Sequence, residues 1–196
     1  MPLVVFLRGV NVGGHKTFRP TILAEQLKHF GAVNVGATGT FVIQRPVTQA
    51  RLRAELKQRL PFDAQIVICH GRKIVKLMTK SPFPGQPARP DITRFVSFLP
   101  RRPQSEPPLP MSFPSRGRWL LKILSRKDRF IFGLYRRDMK VISYLGQLDH
   151  LFGVPVTTRN WNTIEAITKV LGAGKTSSAR AFQEKSGRHF KKGKEE

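Results

Sequence analysis

The 196-residue sequence predicts an α+β fold, a ferredoxin-like β-α-β-β-α-β unit followed by a second, looser α+β unit. Three observations point there. Short runs rich in β-branched and aromatic residues alternate with stretches whose apolar side chains recur every three to four positions. Glycine and proline stand at the joints between them. The alternation then resumes, less regularly, beyond a proline-crowded stretch.

Residues 3–8 form an apolar run closed by Gly9 and read as a buried strand. After a glycine-rich loop, Pro20 suits the first turn of a helix carrying Ile22, Leu23, Leu27 and Phe30, with Gly31 placed as its C-cap. Strands near 32–36 and 40–44 follow, joined through Gly36 and Gly39 as a hairpin. Leu52, Leu56 and Leu60 sit four apart within 47–60, an amphipathic helix stopped by Pro61. A strand over 64–70 completes the first unit. It holds Cys69, the sole cysteine, which reads as a small core residue and rules out an intramolecular disulfide.

A short helix over 71–80 and a strand over 92–99 come next. Six prolines between Leu99 and Pro114 mark a linker or extended loop. Trp119–Leu124 and Phe130–Tyr135 read as strands joined by a turn at 125–128, and 139–145 as a further strand. A short helix at 147–152, a strand at 154–158 and a helix at 162–171 finish the body. The expected organisation is therefore a subdomain over 1–81, a second over 82–172 with a proline-rich insert at 99–114, and a flexible basic tail over 173–196.

Charge is the strongest functional signal. Lys and Arg number 35 against 12 Asp and Glu, a formal net charge of +23. Removing residues 173–196 still leaves 28 basic and 9 acidic side chains, so the body itself is basic. A surface that repels itself so strongly suits a dense anion, nucleic acid above all. Arg72, Lys73, Lys76 and Lys80 fall on one face of the 71–80 helix. Nine more basic residues lie in 116–140, among them Arg118, Lys122, Arg126, Lys127, Arg129, Arg136 and Arg137. The partial match to an RNA-recognition motif gives no stacking platform, and Phe6 and Phe41 read as core residues.

Catalytic patterns are poor. The five histidines are scattered without metal-ligand spacing, and no Gly-x-Ser-x-Gly elbow exists. Gly9-x-x-x-x-Gly14-His15-Lys16-Thr17 imitates a P-loop, but His15 separates the glycine from the lysine. Gly172-Ala-Gly-Lys-Thr176 follows a helix instead of a strand. These patterns single out no catalytic residue, metal or cofactor.

Leu7-Arg-Gly-Val-Asn-Val-Gly-Gly14 after an amino-terminal strand resembles the opening of the domain of unknown function 1697 family. The resemblance continues through Ala37-Thr-Gly-Thr-Phe-Val-Ile43, Ser81-Pro-Phe83 and Thr157-Thr-Arg-Asn-Trp-Asn-Thr163, spanning about residues 3–171. That family usually has Ser-Gly-Asn where this chain has Thr38-Gly-Thr40. The resemblance implies an α+β fold with ferredoxin-like character and no established activity.

Asn162 and Glu165 fit a capping box at the last helix, which places Arg159 and Asn160 just before it and lets Trp161 staple it to the core. The same residues also suit an anion site with the first loop: Arg8, Asn11 and Arg159 gripping, with Gly13, Gly14, Asn160, Trp161 and Asn162 around them. Two functions are thus expected. One is phosphate-backbone binding to nucleic acid, RNA before DNA; the alternative is an enzyme or sensor for a small phosphorylated or carboxylated ligand. No apolar window is long enough for a membrane span, and the chain reads as cytoplasmic, with its oligomeric state left open.

Overall fold

The computed structural model describes residues 1–10, 18–79, 81–86 and 89–172. It is α+β, with two antiparallel sheets. In the first half β1 (Leu3–Arg8), α1 (Pro20–Gln26), β2 (Ala32–Asn34), β3 (Thr40–Ile43), α2 (Gln49–Arg59), β4 (Gln65–His70) and α3 (Gly71–Thr79) follow one another. Their sheet has the order β2-β3-β1-β4. The second half contains β5 (Ile92–Phe98), β6 (Met111–Phe113), β7 (Leu121–Lys127), β8 (Phe130–Arg136), α4 (Val141–Phe152), β9 (Thr157–Asn160) and a helix over 161–172, here α5. Its sheet runs β6-β7-β8-β5-β9.

Setting β6 aside, the two sheets have one plan: a hairpin, a central strand that precedes it in sequence, and an edge strand that follows it. Thus β1, β2, β3 and β4 correspond to β5, β7, β8 and β9, every pair antiparallel. What differs is the connection after the central strand. In the first half it carries α1; in the second it is the proline-rich stretch, with β6 paired at the sheet edge, where missing amide donors are tolerated.

Strand alternation sorts the side chains into three layers of core. Leu3, Val5 and Leu7 of β1 face α1 and α2 in a first outer core, with Leu23, Leu27, Leu52 and Leu56. Val4 and Phe6 face the other way, into a middle core shared with Val96 and Phe98 of β5, Phe130 and Phe132 of β8, Ile74 of α3, and Ile164 and Ile167 of α5. Phe6 stacks on Phe98 at 4.0 Å between ring centroids, joining the two sheets. A second outer core lies under α4, where Phe95, Leu121 and Ile131 meet Leu148 and Phe152 and the half-buried Leu109, Met111 and Phe113 of the proline-rich stretch. Burial on both faces explains why β1 reads as a continuous apolar run.

Several expected boundaries move. The strand predicted at 139–145 is the first half of α4. Val141, Leu148 and Phe152 are buried and Tyr144 and Leu145 half-buried on one helical stripe, which overrides the β-branched look of Val141-Ile142. Between β7 and β8 the turn shrinks from 125–128 to Asp128-Arg129, and Asp128 takes a φ of 52°. The strand expected at 154–158 is β9, three residues later at its start. At Gly133 the packing admits nothing larger than hydrogen: a Cβ there would stand 2.4 Å from the Lys122 carbonyl oxygen and the Phe95 ring. The expected tail, and the Gly172–Thr176 stretch beyond its first residue, lie outside the described residues.

Candidate functional site

Gly71, Ile74 and Leu77 are the buried stripe of α3, which leaves Arg72, Lys73 and Lys76 on its exposed side. What faces them is decided by a β-bulge. Leu121 and Ile123 point into the second outer core, and an unmodified strand would send Ser125 and Lys127 the same way. The register slips between Ile123 and Ser125, so that Ser125 stands opposite Phe132 and Lys127 opposite Phe130. Opposed residues share a face, so Lys127 joins the side of the middle core and of α3, while Arg126 swings to the proline-rich side and pairs with Glu106 at 2.5 Å.

The result is a groove of about 850 Å³ between α3 and the β7–β8 hairpin. Arg72, Lys73, Lys76 and Lys127 line it, and Leu77, Phe130 and Phe132 contribute its apolar surface. Asp128 is the one carboxylate among the described lining residues. Arg129 lies close by, donating to the Pro100 carbonyl at 2.7 Å. Its charge and that of Lys73 oppose the effect of burial on Cys69, whose thiol burial nevertheless pushes up to about 12.

The other predicted cations do not join this groove. Arg136 pairs with Asp91 and stacks over Trp119 at 4.5 Å; Lys122 approaches the same ring at 5.2 Å. Arg118 and Arg137 are exposed elsewhere, and Lys80 is outside the described residues. Phe6 and Phe41 are fully buried, as expected of core residues.

Of the anion site expected at the two signature loops, the structure describes Arg8, Arg159, Asn160, Trp161 and Asn162. Asn11, Gly13 and Gly14 lie outside the described residues. Arg8 donates to Gln65 at 2.9 Å and to Asp149 of α4 at 2.5 Å; Asp149 also accepts the Val156 amide at 2.9 Å. Arg159 is buried, with a relative exposure of 8%. Its guanidinium donates to the Thr40 hydroxyl at 2.8 Å, the Leu7 and Thr38 carbonyls at 2.6 Å and the Thr158 carbonyl at 2.8 Å. The Phe6 ring lies 5.7 Å from its centre.

Among the described residues this buried cation is satisfied by neutral acceptors alone. Charge-assisted bonds to carbonyls offset the desolvation, and only the forked guanidinium reaches so many at once. Burial pushes its pKa down to about 10, so it stays protonated at neutral pH. Residues from three of the resembling segments therefore meet at one side chain, Leu7 from the first, Thr38 and Thr40 from the second, Arg159 from the last. Their shared purpose here is to tie β9 to the first sheet.

Asn160, and not Asn162, caps α5: its side-chain oxygen accepts the Thr163 amide at 2.9 Å and the Thr163 hydroxyl at 2.7 Å. The helix begins a residue earlier than expected, so the cap moves with it. Trp161 is buried edge-on against Phe83 at 5.0 Å, which is the stapling role. Among the described residues no group of His, Cys, Asp and Glu is disposed to hold a metal, and no helix is long and apolar enough to cross a membrane.

Comparison with known proteins adds family and fold. The family model described as "Protein of unknown function (DUF1697)" matches residues 1–110. No curated protein matches significantly. The solved structure of the conserved bacterial protein SP0830 from Streptococcus pneumoniae is similar, with a TM-score of 0.53 and 15% sequence identity, covering 87% of this chain and 98% of that one.

Proposed function

The chain belongs to the DUF1697 family of proteins of unknown function, and from that premise we propose that it binds nucleic acid through the phosphate backbone, RNA in preference to DNA, in the cytoplasm and without catalysis. The observation that carries this reading is the groove between α3 and the β7–β8 hairpin. Four cations from two separate elements converge there against one carboxylate. Surface lysines with nothing to bind are ordinarily interspersed with acids; these are gathered by a bulge that turns Lys127 toward them.

The chemistry suits phosphates and not base edges. No exposed aromatic pair offers a stacking platform along β1 and β3, since Phe6 and Phe41 are sealed in core. Binding should be tolerant of sequence. With four or five phosphate contacts, affinity should fall on the order of 10²–10³-fold between 50 and 200 mM salt.

The test is a salt series with labelled structured RNA and duplex DNA, using nuclease-treated full-length protein. The variant Arg72→Glu/Lys76→Glu/Lys127→Glu should flatten the salt slope and weaken binding at least tenfold, on the order of one lost contact per residue. Unchanged affinity in that variant would remove the groove from consideration. A chain ending at Gly172, assayed beside it, separates the body from the basic residues that follow.

A small-anion site gripped by Arg8 and Arg159 is not favoured by the geometry, because Arg159 is buried among four protein acceptors and Arg8 is paired with Asp149.

A further inference from the structure

A second cleft, of about 610 Å³, opens where β9 gives way to α5. Its origin is a mismatch in strand length. β8 pairs with β5 along its whole length, from Phe98 to Ile92, whereas β9 pairs only from Phe98 to Phe95 before the chain turns into α5. Ile92–Arg94 therefore has a strand on one side and the cleft on the other. No residue lines both this cleft and the basic groove.

The lining is chemically two-sided. Arg89, Arg94 and Arg137 supply positive charge from the segments around β5 and the end of β8. Arg137 is exposed, and its guanidinium has no hydrogen bond or ion pair among the described residues. Arg94 donates to the Gln86 carbonyl and lies over the Phe83 ring at 5.4 Å, and Arg89 pairs with Asp91 at 3.1 Å, so each guanidinium retains further donors. From α5 come Asn162 and Glu165, both offering acceptor oxygens. Half-buried Tyr135, which packs on the second outer core, adds a ring and a phenol to the lining.

A ligand that satisfies this lining carries an anion at one end and hydroxyl or amino donors at the other. A simple phosphate ion would leave Glu165 facing like charge, and a neutral molecule would leave Arg137 unanswered. The volume lies within the range of small-ligand sites. We propose that this cleft binds a phosphate monoester of nucleotide size, its phosphate on Arg137 and Arg94 and its hydroxyl or amino groups on Glu165 and Asn162. The site is independent of the nucleic-acid groove.

The test uses full-length protein and titration calorimetry with AMP and GMP, alongside adenosine and inorganic phosphate. AMP or GMP should bind saturably with one site per chain. Adenosine, lacking the phosphate, and the variant Arg137→Glu should each weaken binding by at least about tenfold, the effect of one or two charge-assisted bonds. Glu165→Gln should weaken the nucleotide and leave inorganic phosphate unchanged or bound more tightly. Structured-RNA affinity of Glu165→Gln should match the parent protein. The proposal is overturned if neither nucleotide binds, if adenosine binds as well as AMP, or if Arg137→Glu binds normally. It is equally overturned if Lys73→Glu/Lys76→Glu abolishes nucleotide binding, since that places the ligand in the groove.

Discussion

The two halves of this chain reach one strand plan by different means. In the first, the connection after the central strand is a helix whose Leu23, with Leu27 just past its end, seals one face of the sheet. In the second, the corresponding connection is a proline-rich stretch that lays Leu109, Met111 and Phe113 over the equivalent face, only partly buried. The comparison teaches that the sheet, with its alternating pattern and antiparallel register, is the invariant part. The cover is replaceable, provided apolar area reaches the exposed face. It also explains why no repeat is visible in the sequence: the periodicities that betray a repeat lie in the connections, and these are not alike.

The seam between halves should be the most sensitive place. Arg159→Met would leave the Leu7 carbonyl and the Thr40 hydroxyl without their donor in a buried site, and free the Thr38 carbonyl nearer the surface. At roughly 1–3 kcal/mol for each such group, partly relieved by relaxation, a loss of about 3–5 kcal/mol is expected in urea unfolding. A loss below about 1 kcal/mol would mean that the halves are held by apolar packing alone.

The two covers can then be compared directly. Leu27→Ala removes a fully buried side chain of the first outer core and should cost about 2–5 kcal/mol. Met111→Ala, half-exposed on the edge strand, should cost about 1 kcal/mol. Equal losses would show that the proline-rich stretch is as much a part of the core as α1.

Cys69 reports on the middle core from inside. Its thiol is held neutral to about pH 12 in the folded chain against an ordinary 9.0. Between those values the unfolded state ionises and the folded state does not, so stability is whole below pH 9 and declines as pH rises toward 12. By pH 10 the decline should be about 1 kcal/mol relative to Cys69→Ala, read from parallel urea titrations. Rapid reaction with a thiol reagent under native conditions would contradict the burial.

The smallest effect belongs to Arg8. Its pair with Asp149 is about one-third exposed on each side, so Arg8→Ala should cost about 0.5–1 kcal/mol and less in high salt. A salt-insensitive loss of several kcal/mol would make it a partner of Arg159 in the seam.

Much of the first half was legible from local pattern. β1 is apolar from Leu3 to Leu7 because both its faces are buried there, and the leucines of α2 announce their own period. The 139–145 stretch misled because Val141-Ile142 suits a strand locally, and only contact with Leu121 and Ile131 makes the helical stripe the better solution. The basic residues of the groove were legible as a charge excess. Their convergence was not, since it depends on one extra residue in β7 that no composition reveals. Arg159 carries the same lesson in reverse: beside a helix start it read as a candidate anion site, and nothing local announces that carbonyls more than a hundred residues away will enclose it.

That separation sets a timetable. Arg159 bonds to Leu7 and Thr38 across 152 and 121 positions of chain. All strands of the first sheet have been synthesised by His70, yet β9, which completes its seam, is not. At translation rates of roughly 5–20 residues per second, the intervening stretch takes on the order of 5–20 s to emerge. Through that interval the Phe6 face of the first sheet gains its cover piece by piece, from α3, then β5, then β8. The seam bonds come after these, when β9 delivers its arginine, and Ile164 and Ile167 of α5 close the middle core last.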